Sequence, residues 1–178
     1  MKVTNVAISV LITVKTEDLD SQSGVASSVV AKALAKQVAD YEKEQHLGYY
    51  PALEYFQQSS EAVDTGLLDA ADNMAWLSTR LVREEVRKRL RPIFSSLRID
   101  AIQNLLYTMP KVRPGKASSL DKLAEHFTPN KVRLELTAQI INQDDKEMDL
   151  KRYSSHLVYR WLKEHFESVE VTNCRQLA

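Results

Sequence analysis

Residues 65–91 read TGLLDAADNMAWLSTRLVREEVRKRLR, and this stretch has the strongest physical character in the chain. Asp64 or Thr65 can cap its start through a side-chain oxygen. Pro92 ends it, because proline cannot continue the helical hydrogen-bond ladder. Between these limits apolar residues recur at helical spacing. The stretch therefore predicts one long amphipathic helix, whose apolar side holds Leu67, Ala71, Met74, Leu77, Leu81 and Val82.

The opposite side of this predicted helix is cationic. Four arginines fall within roughly 80° of one another on a helical wheel: Arg80, Arg83, Arg87 and Arg91. A solvated face whose arginines pair with nearby carboxylates is the commoner meaning of such a pattern. The sharper interpretation is a ridge that binds phosphates or carboxylates. Trp76 lies one turn before Arg80, where it could stack on a base or be buried under another helix.

Length and composition limit the class of protein. A chain of 178 residues with 44% apolar residues can bury a core, and we expect a single domain, 1–178. The single cysteine, Cys174, excludes an internal disulfide and a thiol-based zinc site. No apolar run is long enough to span a bilayer, and the apolar start lacks the features of a secretion signal. We therefore expect a cytoplasmic protein with no membrane partner, no metal and no cofactor.

Charges balance over the whole chain but not along it. Lys+Arg and Asp+Glu number 24 each. Residues 1–79 hold 5 basic and 11 acidic side chains, residues 80–133 hold 13 and 5, and residues 134–178 hold 6 and 8. The net charge of +8 in the middle segment favours a polyanion partner. The alternative is internal, with the acidic N-terminal part covering the basic segment.

The remaining periodicities predict an α+β fold that is predominantly helical. Alternating β-branched residues predict a strand at Val3–Lys15, and a final strand at Ser168–Asn173 is its natural partner in either orientation. Helical spacing predicts further helices at Val25–Glu44, Ile93–Met109 and Leu150–Phe166. We expect about five or six helices on a small sheet formed by the two terminal strands. The last helix would face inward with Tyr153, Leu157, Val158, Trp161 and Leu162.

Residues 118–142 resemble a helix-turn-helix in outline. Ser119–Phe127 would be the first helix and Lys131–Asn142 the second, although alternating apolar residues make a strand a serious rival for the latter. The resemblance implies that three residues at the start of the second helix reach bases or phosphates: Asn130, Lys131 and Arg133. A plain helical hairpin is the alternative.

The basic segment 80–133 leads to the expected function. A loop at Pro110–Ser119 adds three cations that could follow a phosphate backbone or belong to a solvated linker. We expect a non-enzymatic accessory or regulatory protein that binds DNA or RNA through this segment. The contacting residues would be Arg80, Arg83, Arg87, Arg91, Lys111, Arg113, Lys116, Lys131 and Arg133.

Two other classes of function stay open. The aromatic segment Tyr49–Phe56, or an edge strand, could dock a protein partner or a second copy of the chain. Arg160 and His165 have an Arg-x4-His spacing. In this spacing the segment resembles HEPN-type ribonucleases. That resemblance implies that the arginine holds phosphate and the histidine helps to transfer protons. No glycine-rich phosphate loop, HExxH motif or Ser-His-Asp signature is present, which favours a protein that is not an enzyme.

Overall fold

The computed structural model describes residues 2–48, 65–106, 120–142 and 149–177. Five helices and four strands lie in these ranges. In chain order they are β1 (Lys2–Thr13), α1 (Thr16–Ser23), α2 (Ser27–Gln45), α3 (Thr65–Leu90), β2 (Ser96–Asn104), α4 (Leu120–Ala124), β3 (Lys131–Asn142), α5 (Leu150–Leu162) and β4 (Ser168–Gln176).

The chain forms two compact units. Helix α3 belongs to both, because it passes from the second unit into the first between Leu77 and Ser78. The expectation of a single domain stays a prediction. Unit 1 comprises residues 1–15, 78–104 and 131–178, and unit 2 comprises residues 16–77 and 105–130.

Unit 1 is built on an antiparallel sheet in the order β2-β3-β1-β4. Because β1 and β2 are both antiparallel to β3, they run parallel to each other, and the same holds for β3 and β4. The second half of α3 precedes β2, and α5 joins β3 to β4. This order and orientation are those of the split βαβ, or ferredoxin-like, topology.

One face of the sheet forms the core of unit 1. The even-numbered side chains from Thr4 to Ile12 of β1 and from Val132 to Ile140 of β3 are buried, as the period of a strand requires when one face is covered. The apolar sides of α3 and α5 pack in the same cluster. Its fully buried members include Val6, Ile8, Val10, Ile12, Val82, Val86, Leu90, Val132, Leu134, Val158 and Leu162.

Unit 2 is helical in its described residues. The first half of α3 packs there with α1, α2 and α4. The start of α2 is fixed by Asp20, whose Oδ1 accepts a hydrogen bond from the backbone amide of Ser27 at 2.9 Å. An exposed ion pair joins Lys32 to Asp121 at 3.4 Å. The apolar cluster of this unit includes Leu34, Val38, Met74, Leu123 and Phe127.

The structure confirms the α+β class, the long helix and the pairing of the terminal strands, which is antiparallel. The predicted helix at Ile93–Met109 is wrong, because Ser96–Asn104 is strand β2. A register shift between Ile99 and Ala101 is the physical reason. Leu97 and Ile99, before the shift, and Ile102, after it, all face the core. Their spacing of two and then three residues breaks the alternation of a strand and imitates a helix.

The predicted second helix at Lys131–Asn142 is also wrong, and the helix-turn-helix arrangement falls with it. This segment is strand β3 in the middle of the sheet, paired with both β1 and β2. The two neighbouring strands accept and donate the hydrogen bonds of its backbone. A helix would have formed these bonds within itself. Asn130, Lys131 and Arg133 therefore begin no recognition helix. In the part of the chain that the structure describes, no helix is long and apolar enough to cross a bilayer.

Replacing a buried residue of β3 tests this assignment. Leu134 is fully buried between the sheet and the helices, whereas its neighbour Arg133 is exposed. Leu134→Ala should lower the free energy of unfolding by about 2–5 kcal/mol, because the lost contacts leave a cavity. Arg133→Ala should change it by less than about 0.5 kcal/mol. Equal urea midpoints for the two variants would contradict the strand.

Cys174 offers a second test, of the packing of the edge strand β4 against the start of α5. Its thiol is half-buried, and Sγ lies 3.9 Å from the carbonyl oxygen of Leu150. Burial raises the pKa of Cys174 above the ordinary value of 9.0. Because the thiolate is the reactive form, labelling with a disulfide reagent near neutral pH should be markedly slower in the folded protein than in urea. Equal labelling rates in the two states would show that α5 does not protect this thiol of β4.

Candidate nucleic-acid interface

The second half of α3 presents cations to solvent. Val82, Val86 and Leu90 are buried against the sheet, so the residues on the other side of the helix point away from it. Three of the four predicted arginines are exposed and the fourth, Arg83, is half-exposed. The exposed ones are Arg80, Arg87 and Arg91.

Two carboxylates on α3 pair with two of its cations. Arg80 Nε lies 2.9 Å from Glu84 Oε1, and Arg89 Nε lies 3.3 Å from Glu85 Oε2. Both are i,i+4 pairs in contact with solvent, so each contributes only about 0.3–0.5 kcal/mol. Arg80 is therefore partly neutralised by its own helix.

Arg83, Arg87 and Arg91 differ from Arg80. Among the described ranges, none of these three side chains makes an ion pair or a side-chain hydrogen bond. A guanidinium group has five N–H donors in a planar fork that fits phosphate and carboxylate oxygens. Three such groups thus stand along one side of α3 with their donors available to a ligand.

Helix α5 adds a second row of cations, which the sequence interpretation overlooked. With Val158 buried, the side chains that fall within about 120° on the outward side are mixed cationic and aromatic. Four of them follow one another at intervals of four, four and three residues, which is a helical stripe visible in the sequence: Arg152, His156, Arg160 and Lys163. The complete outward set is Arg152, Tyr153, His156, Tyr159, Arg160 and Lys163.

The prediction that Tyr153 and Trp161 face inward is wrong. Tyr153 is 42% exposed and Trp161 is 44% exposed. The core stripe of α5 is filled by Ser154, Val158 and Leu162, and the two aromatic residues lie at or beyond its borders. Large rings at the border of an apolar stripe can turn to either side, which a wheel does not resolve.

The open face of the sheet is different in character. Lys131 and Arg133 are exposed there, because side chains alternate along β3 and Val132 and Leu134 point to the helices. Arg98 and Arg175 share this face with the acidic Asp100, Glu135 and Glu170, which nearly balance the four cations. Two of these acids are engaged: Asp100 Oδ1 lies 2.6 Å from Arg98 Nε, and Ser9 Oγ donates to Glu135 Oε2 at 2.6 Å. None of the four strands contains an aromatic residue.

The structure therefore does not bring the nine predicted contact residues together. Three lie on α3, Arg91 follows its last residue, and Lys131 and Arg133 lie on the opposite side of the sheet. The loop cations Lys111, Arg113 and Lys116 lie outside the described residues, as does the aromatic segment Tyr49–Phe56.

Trp76 lies on the part of α3 that belongs to unit 2. It is 57% exposed there, so none of the described helices buries it.

Arg160 and His165 do not form the pair that the ribonuclease resemblance requires on one helix. Helix α5 ends at Leu162, earlier than predicted, and His165 lies in the turn that follows. Its Nδ1 is 3.9 Å from Glu85 Oε2 on α3, while the Arg160 guanidinium lies 5.9 Å from the Trp161 ring centroid. In the described part of the chain, no cluster of three or more His, Cys, Asp or Glu residues could hold a metal ion.

Charge separates by unit. From the sequence, unit 1 holds 17 basic and 11 acidic residues, a net +6, whereas unit 2 holds 7 and 13, a net −6.

A scan against protein-family models, a search of curated proteins and a search of solved structures each returned no significant match. The interface is therefore judged on its own chemistry, in which the helical side of unit 1 is the cationic one.

The hydrogen bonds on the open sheet face have a measurable consequence at Asp100. The hydrogen bond from Thr137 is the main cause that lowers the pKa of Asp100 below 3.8, and Arg98 acts in the same direction, against a partial opposing effect of burial. A depressed pKa means that the ionised carboxylate stabilises the fold above pH 3.8, and that this contribution is lost as the pH falls through the folded-state pKa.

The Asp100 carboxyl resonance should therefore titrate below 3.8 in the native protein and move upward in Thr137→Val. The stability difference between the two proteins should shrink on acidification, and solvent screening keeps it below about 1 kcal/mol. An unchanged titration midpoint in Thr137→Val would remove this explanation.

Proposed function

We propose that this chain is a non-enzymatic, cytoplasmic protein with an accessory or regulatory role, which binds nucleic acid through the helical side of unit 1. The observation that carries the proposal is the set of Arg83, Arg87 and Arg91, which have no carboxylate partner among the described residues. Guanidinium groups without an internal partner keep their donors for phosphate oxygens.

The spacing of these arginines suits a phosphate backbone. From Arg83 to Arg91 the helix rises about 12 Å, at 1.5 Å per residue. One strand of duplex DNA carries a phosphate about every 3.4 Å along the helix axis, so the row faces three or four phosphates. The cations of α5 (Arg152, Arg160 and Lys163) extend the positive surface on the same layer of unit 1.

The open face of the sheet is the competing location. Four-stranded sheets that bind RNA do so by stacking bases on aromatic side chains of the strands. The strands of unit 1 contain no aromatic residue, and the charges on that face nearly cancel. These two features favour the helical side over the sheet.

A pair of double variants tests the location. Arg87→Gln/Arg91→Gln removes two charges from the end of α3 and the residue that follows it, and Lys131→Gln/Arg133→Gln removes two from the opposite side of the sheet. We expect the α3 variant to weaken binding to a nucleic acid of mixed sequence, because two phosphate contacts are lost. The slope of log affinity against log salt should fall by about 2, since each phosphate contact contributes about 0.9.

The sheet variant is the matched control, with the same change in total charge. It should bind like the native protein and keep the native salt slope. An equal loss in both variants would point to net charge rather than to the α3 row. Absence of binding by the native protein to DNA and RNA at low salt would overturn the proposed function.

A further inference from the structure

We propose that the outward face of α5 makes the protein bind single-stranded nucleic acid in preference to duplex. The inference rests on the proposed function, since the α3 arginines alone supply charge that either form could use. What α5 adds is a set of rings on which unpaired bases can stack, centred on Tyr159.

Two large aromatic rings on this face lie partly in water, and a third, Trp161, lies outside the face, next to Arg160. Tyr153 is 42% exposed, Tyr159 50% and Trp161 44%, all within a helix of 13 residues. Aromatic side chains ordinarily contribute to stability by burying about 150–250 Å² each. Rings left half-exposed give up much of that contribution, and clustered exposed apolar surface marks a binding site.

Each of two rings has a cation beside it. Lys163 Nζ lies 5.7 Å from the ring centroid of Tyr159, and the Arg160 guanidinium carbon lies 5.9 Å from that of Trp161. Arg152 continues the cationic row about two turns toward the start of the helix. Aromatic faces interleaved with cations are the combination by which proteins hold single strands, because the rings stack on bases and the cations follow the backbone.

Two carboxylates border this face without neutralising it. Asp149 is the N-cap of α5, and its side chain accepts a hydrogen bond from the backbone amide of Arg152 at 3.2 Å. Glu164 lies beyond the helix end, and its backbone carbonyl oxygen accepts a hydrogen bond from Lys15 Nζ at 3.0 Å. Lys15 thereby adds another cation near the end of the row.

A duplex cannot offer its base faces to these rings, because those faces are stacked inside the double helix and only the backbone and the base edges are accessible. A single strand offers both phosphates and free base faces. From Arg152 to Lys163 the helix rises about 16 Å. At about 3.4 Å per stacked nucleotide, this length accommodates roughly five nucleotides.

The test compares Tyr159→Ala with Tyr159→Phe in the full-length protein. Binding is measured to a labelled single strand of about twelve nucleotides, to the duplex of the same sequence, and to dextran sulfate, which has charge but no bases. Native protein should bind the strand at least about ten-fold more tightly than the duplex. Tyr159→Ala should lose about five- to one-hundred-fold in affinity for the strand alone, whereas Tyr159→Phe keeps the ring and should bind like the native protein.

The outcomes separate this inference from the proposed function. Equal native affinity for strand and duplex, or an equal loss for both in Tyr159→Ala, would overturn the preference for single strands and leave binding by α3 standing. Binding to none of the three polymers would overturn both proposals.

A second measurement covers the case in which Tyr159→Ala does not fold. In Trp76→Phe the remaining tryptophan is Trp161, the other of the two in the chain. Its emission should be quenched by the strand and unaffected by the duplex. Quenching by neither, under conditions in which both are bound, would overturn the inference.

Discussion

Burial of one face of β1 is the constraint on which unit 1 depends. Its side chains at Val6, Ile8, Val10 and Ile12 are fully buried, and the strand lies between β3 and β4. Each fully buried aliphatic side chain contributes about 1.5–3 kcal/mol relative to exposure. Four of them together approach the net stability of a small domain, before conformational entropy is subtracted. The helices of the unit are placed where they cover this one face.

That placement decides what the helices show to water. Val82, Val86 and Leu90 of α3 pack against the sheet, so the positions on the other side of the helix face water and are suited to polar residues. The packing does not require those residues to carry one sign of charge. Residues 80–91 nevertheless hold six basic and two acidic side chains. Crowded like charges repel and reduce stability slightly, so a face kept for solubility alone would mix both signs. Folding therefore does not require this excess of arginine, whereas the proposed anionic ligand would.

The parts of the fold that the sequence predicted are those with an unbroken period. The alternation of β1 runs through 12 residues and the helical spacing of α3 through 26. Strand β2 was missed because the bulge beside Asp100 shifts the apolar phase by one residue. In β3 the alternation is visible, yet Thr128 and Pro129 are typical of a helix start and favoured a helix there. Pairing with strands distant in sequence is what decides such a segment, and no local pattern contains that information.

The same reasoning separates the parts of the candidate interface. The clustering of the α3 arginines follows from helical geometry alone, so it could be anticipated. The position of Lys131 and Arg133 depended on the type of element: a helix would have placed them in its first turn, whereas the strand directs both to the open face. The α5 surface was overlooked because Tyr153 and Trp161 were assigned to the core.

Net charge also misleads at the level of the whole chain. Equal totals of 24 basic and 24 acidic residues would ordinarily argue against a polyanion ligand. In this chain the net charge is +6 in unit 1 and −6 in unit 2, so the charges cancel only in the sum of the two units. At physiological ionic strength electrostatic interactions are screened beyond about 8 Å, so a phosphate next to α3 responds to the cations around it and not to the total. The local excess on the helical side of unit 1 is therefore the relevant quantity, and a formal charge of zero does not weigh against the capture of nucleic acid.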